Sequence, residues 1–583
     1  MKNLTKYLVI LLTIIIILVG YFFFHRESEK SDKEKNIYSC SMKPEYKKYR
    51  ALEGERLEID LKIINTGSHV WNSQIKNPFL LSYHLLDEKG NTLRYDNRRY
   101  PLPSKLEPSQ SLDIEVILSA PLKTGTYTLE FDLLREGLAW FEQYGSKTLK
   151  IPLKVNPRKW NEDKHDLNLE YGTFTKYNSS VKEINKIFEL IRITLDENAV
   201  EFKGKSGKIY GFSGGMNYPQ IWIRDSNTFI PASRYFYDRN FHCSWIEEHL
   251  FHQKKNGSLY DWIDSKNLHD KNTTETDQES SLVQAAYQTF NLVGNKWLRK
   301  KIKDIRIIDR LENALLFVLD SRFNKEYGLL TGAHTADWGD VDMVDSDSSS
   351  IYTDDRTHWT VDIYDQAMFV QACYSLASLF ESLSEKRKAI FWGKKAELIK
   401  QNTNELLWND RKGFYKVHQH LDLLKHDFEE SDIFAMGGNT QAILSGIAPE
   451  YKTQKIIREA MKRQQLYNIS TISGTLLPPY PEDTFKHPLM DDPFEYQNGA
   501  QWDWFGGRLV LAMFKNGFSS MAKEKLIEII RKNLANGTFY EWDNKEGVGC
   551  GSAYFTGSAG ILGQAVFEGY FGIELAYNNL TLS

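Results

Sequence analysis

The spacing of apolar residues changes once along this chain, near residue 157, and that change limits it to two architectures joined end to end. Before the change, apolar and polar residues alternate in short runs such as Leu57-Glu-Ile-Asp-Leu-Lys-Ile63, Leu112-Asp-Ile-Glu-Val-Ile117, Tyr127-Thr-Leu-Glu-Phe131 and Lys147-Thr-Leu-Lys-Ile-Pro-Leu153. Turn residues such as Asn65-Thr-Gly67 and Asp87-Glu-Lys-Gly90 separate them. A period of two marks strands with one face buried, and many short strands predict a β-sandwich. After the change, apolar residues recur at three-and-four spacing over 181–198, 277–293, 308–319, 364–383, 389–407, 438–445 and 500–515. That is the period of helices that bury one stripe, and it predicts a toroid of helical hairpins. Long Gly-, Asp- and Trp-rich loops lie between them, and loops on a rigid scaffold are where a functional site is expected.

Ahead of both lies a nearly unbroken apolar run from Tyr7 to Phe24, long enough at about 1.5 Å per residue to cross most of a bilayer core of roughly 30 Å. The run is longer than a signal-peptide core, and Phe22-Phe23-Phe24-His25-Arg26 offers no small-x-small cleavage site. The expectation is an uncleaved single-pass anchor in the cell membrane. Residues 1–35 would form the cytoplasmic tip, anchor and linker, 36–157 the sandwich and 158–583 the helical domain, placed outside the cytoplasm. Lys2 and Lys6 before the run and Arg26, Lys30, Lys33 and Lys35 after it leave the orientation open on charge alone. A formal net charge of −4 gives no reason to expect nucleic acid as a partner. Cys40, Cys243, Cys373 and Cys550 are too scattered for a disulfide framework or a zinc site.

Four loop segments carry candidate chemistry. They are Tyr218-Pro-Gln-Ile-Trp-Ile-Arg-Asp-Ser226, Gly328-Leu-Leu-Thr-Gly-Ala-His-Thr-Ala-Asp-Trp-Gly-Asp340, Phe494-Glu-Tyr-Gln-Asn-Gly-Ala-Gln-Trp-Asp-Trp-Phe-Gly-Gly507 and Asn536-Gly-Thr-Phe-Tyr-Glu-Trp-Asp-Asn-Lys-Glu-Gly547. Each sets acidic or amide side chains beside Trp or Tyr. Hydrolysis of a glycosidic bond needs one carboxylic acid for the leaving oxygen and one carboxylate for water or the anomeric carbon. An aromatic wall beside a carboxyl raises its pKa toward neutrality.

In order and content the four segments resemble those of the glucoamylase, trehalase, processing α-glucosidase and debranching-glucosidase group. The resemblance implies an (α/α)6 barrel, so that the expected fold is a membrane helix, an all-β immunoglobulin-like sandwich and an all-α toroid. It implies an exo-acting, inverting glycosidase for an oligo- or polysaccharide. Arg224 and Asp225, beside Trp222, match the pair that grips a terminal sugar. Asp340 matches the general acid, with Trp338 beside it and Asp337 as its rival, and Glu541 matches the general base, with Glu495 as the alternative. Gln497, Asn498, Gln501 and Trp502 match a loop that supplies hydrogen bonds and a stacking face. Inverting chemistry sets the two carboxyls roughly 6.5–9.5 Å apart and needs no metal or organic cofactor.

The first domain, with Trp71, Tyr83 and Trp140, resembles sandwich modules attached to bacterial surface-polysaccharide proteins. Those aromatics serve either glycan contact or the core. The acidic run Asp340-Val-Asp-Met-Val-Asp-Ser-Asp347 departs from EF-hand spacing and reads as a solvated loop rather than a calcium site. A catalytically inactive glycan-binding protein, a polysaccharide lyase and a glycoside phosphorylase on the same barrel stand as alternatives.

Overall fold

The computed structural model describes residues 37–160, 165–167, 175–177, 179–343, 351–490, 492–577 and 579–582. The chain forms two compact units, Met1–Arg158 and Lys159–Ser583.

In the first unit the alternating runs are strands. Along Arg56–Asn65, Leu57, Ile59, Leu61 and Ile63 are buried while Glu58, Asp60 and Lys62 face out. This strand is the middle of a three-stranded antiparallel sheet, between Cys40–Pro44 and Ser111–Ser119. A larger sheet runs in the order Tyr49–Leu52, Leu149–Asn156, Gly125–Arg135, Phe79–Leu86 and Thr92–Arg94, with Tyr49–Leu52 joining in parallel. Inward residues of both sheets form one core around Ile59, Val116, Phe131 and Ile151. Trp71 is fully buried there, edge-on to Phe141 at 5.2 Å between ring centroids. Tyr83 lies in the same core, and Trp140 is buried under Arg99 and against His84. All three aromatics therefore fill the interior and offer no face to a glycan.

The second unit is built on a ring. Among the described residues six helices touch in cyclic order: Ile223–Ser233, Gln278–Val293, Ile363–Ser382, Met436–Leu444, Asp503–Lys515 and Thr556–Gln564, which closes on Ile223–Ser233. Ring helices are packed from both sides, so every residue of Ile223–Ser233 is buried. An outer helix, Lys386–Leu406, buries only Trp392, Ala396, Ile399 and Thr403, one stripe at helical spacing. The ring closes where Gly560 meets Phe229, since a Cβ there would lie 2.3 Å from the Phe229 Cβ.

This architecture corrects the expected fold class. The described residues are mixed α/β, not the expected membrane helix, all-β immunoglobulin-like sandwich and all-α toroid. Short ribbons recur through the second unit, among them Ala199–Lys203 with Lys208–Phe212, Phe434–Ala435 with Leu476–Leu477 and Tyr540–Asp543 with Gly549–Ala553. Strands of two to five residues are too short to register an apolar period, which is why helices alone were expected. The expected single-pass membrane localisation is likewise not supported. Among the described residues no helix is long and apolar enough to cross a membrane, and the Tyr7–Phe24 run lies outside them.

Short strands lead directly into several ring helices, as Ile221–Trp222 does into Ile223, Trp359–Asp362 into Ile363 and Phe434–Ala435 into Met436. Trp502 and Phe555 are the residues immediately before two others. Side chains at these junctions are thus gathered at the N-terminal ends of the ring. For the first unit, Trp71→Ala is expected to cost about 3–5 kcal/mol through the cavity it leaves, seen as faster amide hydrogen exchange along its strands.

Candidate active site

One cavity, open to solvent, collects residues from all of the loop segments. Tyr218, Trp222, Arg224 and Asp225 line one part, Trp338 and Asp340 another, and Tyr496, Gln497, Trp502, Trp504, Glu541 and Phe555 the rest.

Glu541 stands on the strand Tyr540–Asp543, paired to Gly549–Ala553 with an irregularity between Tyr540 and Trp542. The Tyr218 hydroxyl donates to Glu541 Oε1 at 2.8 Å and the Ser552 N–H donates to Oε2 at 3.1 Å. Burial nonetheless pushes this carboxyl up from 4.5 to about 7, against the pull of both donors, with the Asp225 and Asp340 charges adding to the rise. The partner strand passes so close that a Cβ on Gly551, which has φ +67°, would lie 2.7 Å from Glu541 Oε2. Only glycine fits that conformation and that gap.

The turn Asp337-Trp-Gly-Asp340 separates its two acids. Asp337, at φ +62°, is buried and both its carboxylate oxygens accept from the Gly438 N–H at 3.0 Å, at the start of the ring helix Met436–Leu444. It holds the turn against a helix N-terminus and does not line the cavity. Asp340 does line it, and its Oδ1 accepts from Gln497 Nε2 at 2.8 Å. Its main-chain oxygen accepts from Asn272 Nδ2 at 2.8 Å, which fixes the turn from the other side.

Arg224 is buried in the first turn of Ile223–Ser233. Its Nη2 donates to Glu275 Oε1 at 2.7 Å and its Nη1 to the Trp338 carbonyl at 3.3 Å, with Asp277 Oδ1 at 3.5 Å. The guanidinium lies 5.8 Å from the Trp338 ring centre and 5.9 Å from that of Trp504. Its Nε has no hydrogen-bond partner among the described residues, nor have the indole nitrogens of Trp222, Trp338 and Trp504 or the Gln497 Oε1. Asp225 shares the cavity, and burial pushes it up to about 6 although Arg224 opposes the rise. The cavity therefore holds three carboxyls, a set of unspent donors and an indole-rich wall.

Of the residues expected from sequence, Asp340, Glu541, Trp222, Arg224, Asp225, Trp338, Gln497 and Trp502 come together here. Asn498 and Gln501 do not line the cavity. Asn498 spends its amide on the main chain of Tyr480 and Met490, and Gln501 ties Ser470 and Thr471 to the Asn544 and Lys545 carbonyls. Glu495 is exposed and outside the cavity. Of the acidic run after Asp340, Asp345 and Asp347 lie outside the described residues and Asp354 pairs with Arg356 at 2.6 Å. Sequence reasoning gave no role to Tyr218, Tyr496, Trp504, Phe555 or Glu275. Tyr218 and Tyr496 stand inside quoted segments and were legible as aromatic neighbours of acids. Glu275 becomes a partner of Arg224 only through the ring. Among the described residues, those spaced to hold a metal ion lie elsewhere, around Glu430 in this unit and around Asp132 in the first.

A carboxyl held near 7 also bears on stability. Its neutral form is favoured by the fold, so the stabilisation is complete below about 4.5 and is lost as pH rises through about 7. Glu541→Gln removes the buried charge, and at pH 8 the variant is expected to be more stable than the parent by about 2–3 kcal/mol, with no difference near pH 4. Thermal unfolding at both pH values measures this.

No family model matches the chain, and no curated protein matches it. Solved structures do. A GH78 family rhamnosidase of Bacillus sp. GL1 aligns over 89% of this chain with a TM-score of 0.51 and 14% identity, and the chain spans 47% of that protein. A rhamnosidase from Klebsiella oxytoca, solved with rhamnose bound, aligns over 90% of this chain and 88% of its own, with a TM-score of 0.50 and 11% identity. A GH63 mannosylglycerate hydrolase from Thermus thermophilus aligns over 65% of this chain and 99% of its own, at 14% identity and a TM-score of 0.48. The two rhamnosidase likenesses show that the chain shares the fold of these glycoside hydrolases.

Proposed function

We propose that the protein is a glycoside hydrolase that removes a terminal sugar from an oligo- or polysaccharide with inversion of configuration. The observation that carries this is the convergence of Asp340 and Glu541 on one indole-lined cavity. Two carboxyls at a single site are the machinery the reaction requires. Asp340 is the general acid, oriented by Gln497, and Glu541 is the base that activates water. A base held near 7 ionises over the range in which water must be deprotonated, and the Tyr218 hydroxyl and Ser552 N–H orient its two oxygens. Asp225 and the free Nε of Arg224 read adjacent sugar hydroxyls, and Arg224 is held for this by Glu275. Donors without protein partners are the groups that hydroxyls would satisfy.

The same features weigh against the other chemistries. Phosphorolysis needs a cationic phosphate site, and Arg224 is the one cation among the lining residues, already committed to Glu275 and Asp277. Elimination by a lyase draws on a histidine or tyrosine base beside an acidic sugar; no histidine lines the cavity, and burial pushes the hydroxyls of Tyr218 and Tyr496 up, away from the range of a base. One observation favours exchanged roles for the two carboxyls: burial favours the protonated form of Glu541 that a general acid needs.

Asp340→Asn and Glu541→Gln are each expected to lower turnover of a natural glycoside by about 10²–10⁴-fold, assayed as reducing sugar released from α- and β-linked disaccharides and bacterial surface glycans. Retained turnover in either variant excludes that residue. A glycosyl fluoride, whose leaving group needs little protonation, is expected to restore turnover in Asp340→Asn and not in Glu541→Gln, and the reverse pattern exchanges the roles. The first-formed anomer, read by proton NMR, reports inversion. Tyr218→Phe removes a donor that favours the Glu541 carboxylate, so the acid limb of kcat/KM against pH is expected to move to higher pH.

A further inference from the structure

Beside the acid-bearing turn, outside the cavity, four imidazoles close on one carboxylate. The ribbon Gly332–Ala333 pairs with Trp359–Asp362, which pairs with His418–His420, and this brings His334 next to His418 and His420. His426 and Glu430 arrive from the following loop, and Tyr480 from a separate segment. His334 Nε2 is 3.0 Å from Glu430 Oε1 and 3.2 Å from His426 Nε2. His420 Nε2 is 2.8 Å from Glu430 Oε2, and His426 Nε2 is 3.5 Å from Oε1.

Protons alone account poorly for this arrangement. Glu430 Oε1 faces His334, His418 and the Tyr480 hydroxyl together, at 3.0, 3.1 and 2.8 Å. If His334 and His426 both donate to it, their N–H groups confront each other across 3.2 Å. If one accepts from the other, it no longer donates to the carboxylate. A cation resolves the conflict, because every nitrogen then presents a lone pair to one centre. The spacing fits: a tetrahedral ion with ligand atoms at about 2.0–2.1 Å holds them about 3.3–3.4 Å apart. The ligand atoms of His334, His420, His426 and Glu430 all lie within 4.8 Å of one another.

We propose that His334, His420, His426 and Glu430 form a binding site for a divalent transition-metal ion of the zinc type. Imidazole nitrogens with one carboxylate suit such an ion better than calcium or magnesium, which take oxygen ligands. Four protein ligands make a closed, structural site rather than one that activates water. The Tyr480 hydroxyl and His418 buttress Glu430 from outside the ligand set. His420, His426 and Glu430 line a solvent-open cleft, which gives an ion its entry path. The site ties the start of the turn that ends in Asp340 to the 418–430 segment. The metal is a clamp on that turn and takes no part in the reaction of the cavity.

The full chain without an affinity tag, incubated with excess zinc and then desalted, is expected to carry about one zinc per chain by elemental analysis. Cobalt(II) loading should give the intense visible absorption of a four-coordinate ion. The His420→Asn/His426→Asn pair, checked for native circular dichroism, should lose both signals, and Glu430→Gln should weaken zinc retention at least about tenfold in competition with a chromogenic chelator. A chelator should lower the melting temperature of the parent and leave the double variant unmoved. Substoichiometric binding of zinc, cobalt and nickel by the parent overturns the site, as does equal retention by the double variant. Should that variant not fold, the cobalt spectrum of the parent and the Glu430→Gln titration decide alone.

Discussion

A buried guanidinium is costly unless its charge is balanced and its protons are met, and Arg224 balances its charge and spends its two terminal nitrogens in a way that orders the whole cavity. Its partners come from separate parts of the ring: Glu275 and Asp277 from the approach to Gln278–Val293, and the Trp338 carbonyl from the acid-bearing turn. Trp338 and Trp504 lie close to the guanidinium as well, so one side chain fixes a carboxylate, a peptide and two indoles relative to each other. Removing it would leave Glu275 and Asp277 as buried like charges without a counter-ion. The coupling runs both ways, since burial drives the rise of the Asp225 carboxyl, Arg224 restrains it, and Asp277 and Asp340 add to it.

The ring explains why these groups converge. A helix that enters straight from a two-residue strand exposes its first N–H groups at the junction, and those unpaired donors favour carboxylates nearby. Asp337 accepts from such an N–H, at Gly438, and Asp362 caps its own helix through the Asp365 N–H. Acidic residues therefore serve two ends in this region. Some quiet helix termini, and others, freed from that duty, face the cavity.

The sequence carried the apolar periods and most of the cavity's chemistry, because strand alternation, helical stripes and Trp-acid turns are local patterns. Trp222, Arg224, Trp338, Asp340, Gln497, Trp502 and Glu541 sit in such patterns and share the cavity. What it did not carry depends on three dimensions. Asn498 and Gln501 have the composition of sugar contacts, yet their amides cross-link loop backbones, a distinction made only by where the neighbouring chain passes. Two-residue ribbons have no period to read, so the mixed character of the second unit was hidden. The histidines scattered from His334 to His426 share no spacing motif, because the sheet that unites them is non-local.

Asp337 and Asp340 stand three residues apart in the same turn, and their contrast shows how position overrides residue type. A left-handed backbone at Asp337 turns its carboxylate onto the Met436–Leu444 helix end, where both oxygens are consumed. Having taken that strain at Asp337, the turn releases Asp340 toward Gln497 and the cavity. A larger residue at Gly339, between them, would displace the Gln497 amide, because a Cβ there would lie 2.7 Å from Gln497 Oε1. At its leading edge the same turn is held through His334 to Glu430. Asp340 is thus placed chiefly by backbone anchors on either side of it, and its own side chain, with one hydrogen bond among the described residues, keeps an oxygen unspent. The role of general acid proposed for Asp340 needs that combination: a rigid mount and a carboxyl not fully spent on the protein.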